Sequence, residues 1–342
     1  MRERSGWHRW LKGGLLLVCL AGLTALAVLY SSYRNFREQP LNVPAHGLLY
    51  ELSSGATLSS LAHELTDQGV IAQPRLLILL GRHMDVAHRL QAGEYRLRRD
   101  MTPVGLLTAL ANGDIEQYSL AIIEGQTFRE LLAAIRASDA ITSTLATGDE
   151  EQIMARIGHP GEHPEGRFLP DTYHFPRGTT DIEFLQRAYQ AMDRQLAAAW
   201  DGREERLPLE DPYEALILAS IVEKETGRAD ERARIAGVFI QRLRKGMRLQ
   251  TDPTVIYGMG DAFDGNIRRR DLRTDTPYNT YTRHGLPPTP IAMPGRKSLF
   301  AAANPADGEE LYFVADGKGG HTFSSTLAEH QAAVDRLLER EQ

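Results

Sequence analysis

The longest feature of the hydrophobic pattern is Gly13 to Tyr30, an 18-residue run without a charge. Wound as a helix it spans about 27 Å, close to the ~30 Å hydrocarbon core of a bilayer. Residues 31–44 are polar, carry Pro40 and Pro44, and read as a linker. A pattern then recurs three times, with Thr57, Thr102 and Thr127 each four and eight residues ahead of apolar positions: Leu61 and Leu65, Leu106 and Leu110, Leu131 and Ile135. That is an N-cap followed by a helical apolar stripe. Pro103 suits a first helical position, and Pro74 to Gly81 reads as a further short helix. Leu48 to Leu52 and Gly93 to Leu97 read as strands.

Beyond Ser119 the pattern changes. Ile182 to Trp200 is amphipathic, with Leu185, Ala188, Tyr189, Met192 and Leu196 on one face. Pro212 to Thr226 predicts a second helix, apolar almost all round from Ala215 to Val222, and therefore buried on most faces. Ala229 to Lys245 predicts a third. Gly285 to Gly295 holds four prolines in eleven residues, a rigid loop. Leu311 to Ala315 and His321 to Ser324 read as strands around a Gly-rich turn, and Thr326 to Arg340 as a closing helix. Helices and short strands are segregated rather than alternating, so the fold class is α+β. The division is 1–12 tail, 13–30 transmembrane helix, 31–44 linker, 45–118 small α/β subdomain and 119–342 larger helix-rich domain.

Composition narrows the function classes. The chain has 342 residues, 42% hydrophobic and 25% charged, with net charge −6. These values exclude wholesale disorder, and no basic excess points to nucleic acid. Arg2, Arg4, Arg9 and Lys12 precede the apolar run against one acid, Glu3. That cluster keeps the N-terminus cytoplasmic and the bulk of the chain outside, at a cytoplasmic (inner) membrane. Ala25 and Ala27 also satisfy a signal-peptide site, but the apolar run continues past them, which favours a retained anchor. Cys19 is the only cysteine and follows the bulky Val18, against lipidation. An internal disulfide is impossible. His321 and His330 lie nine apart with no His-Glu-x-x-His element, so neither a metal nor a cofactor is expected.

The chemistry centres on the end of the buried helix, Ala219-Ser220-Ile221-Val222-Glu223-Lys224-Glu225-Thr226. A carboxylate directly after an apolar stretch is costly unless hydrogen-bonded, paired or protonated. Ser220 and Ala219 leave room beside Glu223, which makes it the candidate catalytic acid; an ordinary salt-bridged helix-end acid is the competing reading. Glu225 is offset by about 200° and does not share that face. Three loops rich in polar and aromatic groups suit carbohydrate: Glu165 to Tyr173, Gln250 to Gly258, and Tyr278 to Tyr281. Turn formation alone also explains such residues.

Several motifs together resemble the endolytic murein transglycosylase (YceG-like) family. They are Glu165-Gly-x-Phe168-x-Pro170-Asp171-Thr172-Tyr173, Ala219 to Thr226, Gln250-Thr251-Asp252-Pro253-Thr254, Tyr278-Asn279-Thr280-Tyr281, Gly285-Leu286-Pro287-Pro288 and Gly319-Gly320-His321-Thr322-Phe323. The strand–helix–helix–strand layout of residues 45–118 is similar to a LysM-like subdomain; a plain spacer domain fits the same pattern. The resemblance implies a lytic transglycosylase. Such an enzyme cleaves peptidoglycan between N-acetylmuramic acid and N-acetylglucosamine and leaves a 1,6-anhydro end, with Glu223 as acid and then base. It also implies a role in cell-wall biogenesis and strand termination, and contact with peptidoglycan synthases.

Candidate substrate-binding residues are Asp171, Thr172, Tyr173, Gln250, Asp252, Tyr278, Asn279, Tyr281 and His321. Glu225 is a supporting residue, structural if paired with Arg242 or Arg228. The alternative function is a membrane-anchored peptidoglycan-binding protein without activity.

Overall fold

A computed structural model describes residues 5–145 and 149–340. Arg2, Glu3 and Arg4, counted toward the N-terminal charge cluster, lie outside these residues. The chain divides into two compact units, Met1–Tyr118 and Ser119–Gln342, each with its own apolar core.

In the first unit, helix α1 runs Ser5–Glu38, and its Lys12–Glu38 portion is long and apolar enough to cross a membrane. None of its most apolar 18-residue window is buried against protein. The linker expected at residues 31–44 is only partly present, because the helix continues to Glu38. No helix breaker precedes Pro40, and Tyr33 and Phe36, three apart, give the last turns an apolar face that packs on the unit's core. Leu41 and Val43 are also buried there. The chain is pinned where the Leu41 N–H donates to the Met101 carbonyl (2.8 Å) and the Asn42 N–H to the Val70 carbonyl (3.0 Å). The tether from helix to unit is therefore short and ordered.

Strand β1 (Leu48–Leu52) is followed by α2 (Leu58–Asp67), α3 (Pro74–His83), β2 (Gly93–Leu97) and α4 (Pro103–Asn112). β1 and β2 pair antiparallel, Tyr50 opposite Tyr95. Their inward side chains Tyr50, Leu52, Tyr95 and Leu97 are buried against Leu61, Leu65, Leu77 and Leu106. Each such burial contributes about 1.5–3 kcal/mol. Thr57 and Thr102 cap α2 and α4, their hydroxyls accepting from the Ser60 and Gly105 N–H groups.

β3 (Tyr118–Ala121) begins on the last residue of the first unit, and the second unit continues with α5 (Phe128–Arg136), β4 (Ile141–Thr142), α6 (Glu150–Ile157), β5 (Thr172–Phe175) and β6 (Thr179–Thr180). Thr127 and Glu130 form a reciprocal capping box on α5. Then come α7 (Asp181–Asp201), α8 (Pro212–Glu225), α9 (Arg232–Arg244), α10 (Asp252–Met259) and α11 (Arg296–Ala303). The antiparallel hairpin β7 (Tyr312–Ala315) and β8 (His321–Ser324), with α12 (Leu327–Arg340), ends the chain. Among the described residues every sheet has two strands, and the architecture is mixed α+β.

α8 is the centre of this unit, with Ala215 to Val222 all buried, as its all-round apolar pattern requires. α9 packs on it, and so does α11, an unanticipated helix whose Ala301–Ala303 run is small enough for close approach. α10 replaces the loop read at Gln250 to Gly258. Asp252 and Pro253 occupy its first turn, where an acid and a proline both favour helix initiation.

Candidate active site

The two glutamates at the end of α8 point to different environments, as their ~200° offset requires. Glu223 turns inward. Its Oε1 meets the Arg232 guanidinium at 3.0 Å. Its Oε2 accepts from the Gly295 N–H at 2.9 Å and from the Ser298 hydroxyl at 2.7 Å. The side chains of Glu223 and Arg232 are only 5% and 6% exposed. Arg232 also donates to the Ser298 hydroxyl at 3.0 Å. This knot joins α8, α9 and the first turn of α11. Glu223, the expected catalytic acid, sits inside this knot. The apolar helix does not leave it a lone carboxyl; a buried arginine and two hydrogen-bond donors engage both of its oxygens.

Glu225 faces the other way and is partly accessible. Its Oε1 accepts a short hydrogen bond from the Thr251 hydroxyl. Burial pushes its carboxyl above the ordinary range; the Thr251 bond opposes that, Asp252 adds to it, and the charges of His321 and Arg242 pull it back. Asp252, at the start of α10, accepts from the Tyr281 hydroxyl at 2.6 Å. Thr251 is itself held, its N–H donating to the Thr280 hydroxyl at 3.0 Å. A carboxyl raised by burial beside a second acidic side chain is an acid–base arrangement.

Next along the helix, Lys224 lines a cavity of about 680 Å³ that also reaches Thr127, Glu165, Tyr257, Phe263 and Tyr278. Tyr257 and Tyr278 meet edge to face, centroids 4.8 Å apart. Glu165 is 3% exposed and accepts from the Phe128 N–H and the Tyr257 hydroxyl, both at 3.0 Å. Burial pushes its carboxyl up to about 7. Its raised value means a contribution to stability that is full below the unfolded carboxyl range and is lost as pH rises through about 7. Glu165→Gln should therefore gain stability on wild type between pH 5 and 8, by roughly 1–3 kcal/mol, read as the difference in thermal midpoints. An unchanged difference across that range would exclude a raised carboxyl.

The YceG-like family model matches residues 50–336. The chain belongs to the YceG-like family. It is 29% identical over 304 residues to the endolytic murein transglycosylase of Bacillus subtilis (strain 168), covering 84% of each chain. It is 26% identical over 358 aligned positions to that of Streptococcus pneumoniae serotype 2 (strain D39), covering 94% of this chain and 63% of the longer relative. A crystal structure of a YceG-like protein from Listeria monocytogenes matches at 29% identity and TM-score 0.52, over 84% of this chain and 99% of that one.

Within this family fold, the residues expected to bind substrate fall in different surroundings. Asp252 and Tyr281 stand beside Glu225, and Tyr278 lines the cavity. Asp171 and Thr172 are exposed, Asp171 paired with Arg296 at 2.8 Å. Gln250 is exposed with a left-handed backbone, φ +50°. Asn279 is 1% exposed, donates to the Thr274 carbonyl at 2.7 Å and accepts from the Tyr281 N–H at 2.9 Å. It shapes the loop that presents Tyr281. Tyr173 is likewise buried, donating to the Leu169 carbonyl at 2.8 Å and packed on Phe184.

The ion pairs considered for Glu225 do not form. Arg242 is spent on the Leu311 and Leu249 carbonyls, at 2.7 and 2.5 Å, and Arg228 on Asp230 and Glu231. Sequence reasoning did not single out Thr251 or Glu231, although both lie in or beside motifs that it quoted. Among the described residues no group of three or more His, Cys, Asp and Glu is arranged to hold a metal ion.

Proposed function

We propose that this protein is a membrane-anchored endolytic transglycosylase of peptidoglycan, and that Glu225, rather than Glu223, is its acid and base. The observation that carries this reading is the Glu225 carboxyl, raised by burial on a residue that is only half-buried, at the end of α8 beside the Asp252–Tyr281 pair. The curated relatives carry the name endolytic murein transglycosylase.

Protonated Glu225 donates to the glycosidic oxygen as the bond from C1 of the muramic residue breaks. The sugar's own 6-hydroxyl then attacks C1, and its proton passes to the Glu225 carboxylate. A 1,6-anhydro ring forms, the proton is returned and no water is consumed. The intramolecular nucleophile removes the need for a second activating carboxylate. Asp252 supplies negative charge for the oxocarbenium-like centre and is itself positioned by Tyr281. Tyr257 and Tyr278 offer aromatic faces to neighbouring sugar rings in the adjoining cavity.

α1 supplies the anchor in this reading, with the N-terminus cytoplasmic and the second unit outside. The first unit, LysM-like in its order of elements, takes hold of the same glycan near the membrane. Synthases that make new strands there are the expected partners.

Mass spectrometry of fragments from purified glycan strands tests the activity. Anhydro-muramic ends are expected; free reducing ends would mean a hydrolase, and intact strands a binding protein.

The pH dependence follows from the same carboxyl. Activity needs protonated Glu225, so kcat/KM falls as pH rises through its titration. Asp252→Asn removes a negative neighbour that favours the protonated form. Its alkaline limb should move to lower pH by about half a unit or more, with the Tyr281 bond kept. An unmoved limb would separate Asp252 from Glu225.

A further inference from the structure

A second cluster, whose His321 charge reaches Glu225, is left unused by the proton transfers above. Glu231 immediately precedes α9 and is 8% exposed. It holds His321 at two points: the His321 N–H donates to Oε1 at 3.0 Å and the ring Nδ1 lies 2.7 Å from Oε2. Phe313 meets the imidazole edge to face at 5.3 Å and fixes its plane. A side chain at Gly320 would require the Glu231 carboxylate to shift. A Cβ there would lie 2.7 Å from Glu231 Oε1 and 3.1 Å from Asp316 Oδ2. The Gly-His step of the β7–β8 hairpin is thus built around the Glu231 carboxylate.

Short links join this cluster to the end of α8. The Arg228 N–H donates to the hydroxyl of Thr226, the residue after Glu225, and Arg228 Nε lies 3.5 Å from Glu231 Oε1. From the other side, Arg242 ties the carbonyl of Leu249, two residues before Thr251, to that of Leu311 at the foot of the hairpin.

We propose that Glu231 and His321 are positioning residues for Glu225: Glu231 orients the imidazole, and positive charge carried on that ring stabilises Glu225 as a carboxylate once it has given up its proton. This rests on Glu225 as the acid–base residue. A group that is first acid and then base needs opposing influences, since burial alone would hold it protonated. His321 supplies one, and its charge reaches Glu225. With Nδ1–H directed to Glu231, the ring orientation is set by the partner carboxylate, as in other carboxylate–histidine pairs. The charged and titratable groups facing Glu225 are Asp252, Tyr281, Arg242 and His321. Those around the Glu231 carboxylate are His321, Arg228 and Asp316.

The test is the pH profile of kcat/KM on purified glycan strands for wild type, Glu231→Gln, His321→Gln and the double variant, with Glu225→Gln alongside. Either single change should lower kcat about tenfold or more and move the alkaline limb upward by about half a pH unit or more, because a positive neighbour of Glu225 is lost. The double variant should move it no further. Direct action of the Glu231 charge on Glu225 predicts the opposite direction, a downward shift in Glu231→Gln, and would overturn the proposal. So would a rate loss with the limb unmoved, which means a purely structural pair. If Glu231→Gln does not fold, His321→Gln carries the same limb test. Activity retained in Glu225→Gln would overturn the acid–base reading itself; an inactive Glu225→Gln with an unmoved limb in the other variants overturns only the role of the pair.

Discussion

Glu225→Gln should reduce release of anhydro-muramic products from purified glycan strands by about three orders of magnitude, near the upper end of what general acid–base catalysis contributes, and leave folding intact. The side chain keeps its shape and keeps an oxygen for the Thr251 hydroxyl to bond. It loses only the proton that it gives and takes back. Because burial already disfavours the charged form, a neutral amide costs the fold little. The thermal midpoint should lie within a few degrees of wild type. Strand binding by the inactive variant should persist, because the cavity and the Asp252–Tyr281 pair are untouched. A variant that still yields anhydro ends at the wild-type rate would remove Glu225 from the chemistry.

Glu223→Ala should do the reverse. It removes one member of a pair whose side chains are 5% and 6% exposed. The Arg232 guanidinium is left with Glu124 at 3.8 Å as its nearest remaining carboxylate, and the Ser298 and Gly295 donors lose their acceptor. Breaking a buried pair from one side costs about 3–5 kcal/mol. In a unit of this size that is a fall of roughly 10 °C in thermal midpoint. Below that midpoint the folded fraction should still produce anhydro ends. Adding Arg232→Met should recover a large part of the loss, since a buried charge without a partner is the main penalty. Full stability with abolished cleavage would instead restore Glu223 as the acid. Adjacent on one helix end, the two glutamates thus give opposite phenotypes, one chemical and one structural.

Much of the architecture was legible from local pattern. Thr57, Thr102 and Thr127 each precede an apolar stripe, and each caps its helix, because capping and amphipathicity are decided within a turn or two. The all-round apolar run from Ala215 to Val222 required a central helix, and α8 is one. The angular offset of Glu223 and Glu225 also followed from helix geometry alone. Two local readings failed for local reasons. Residues 31–38 looked like linker because their polarity hid the Tyr33–Phe36 face. Residues 250–258 looked like loop because Pro253 suggests a turn, although proline is equally at home in a helix's first turn.

The roles of the two glutamates were not decided by the sequence. It determined that an acid ends a buried helix, and it chose Glu223 because that residue follows the apolar run directly. Only the tertiary structure shows that Arg232, nine residues on, and Ser298, seventy-five residues on, close around Glu223, whereas Thr251 and His321 lie on the Glu225 side. Helix periodicity sets the direction in which a side chain leaves its axis. Whether it meets a cation or a ligand depends on segments far away in the chain, and no pattern local to α8 encodes where those segments return.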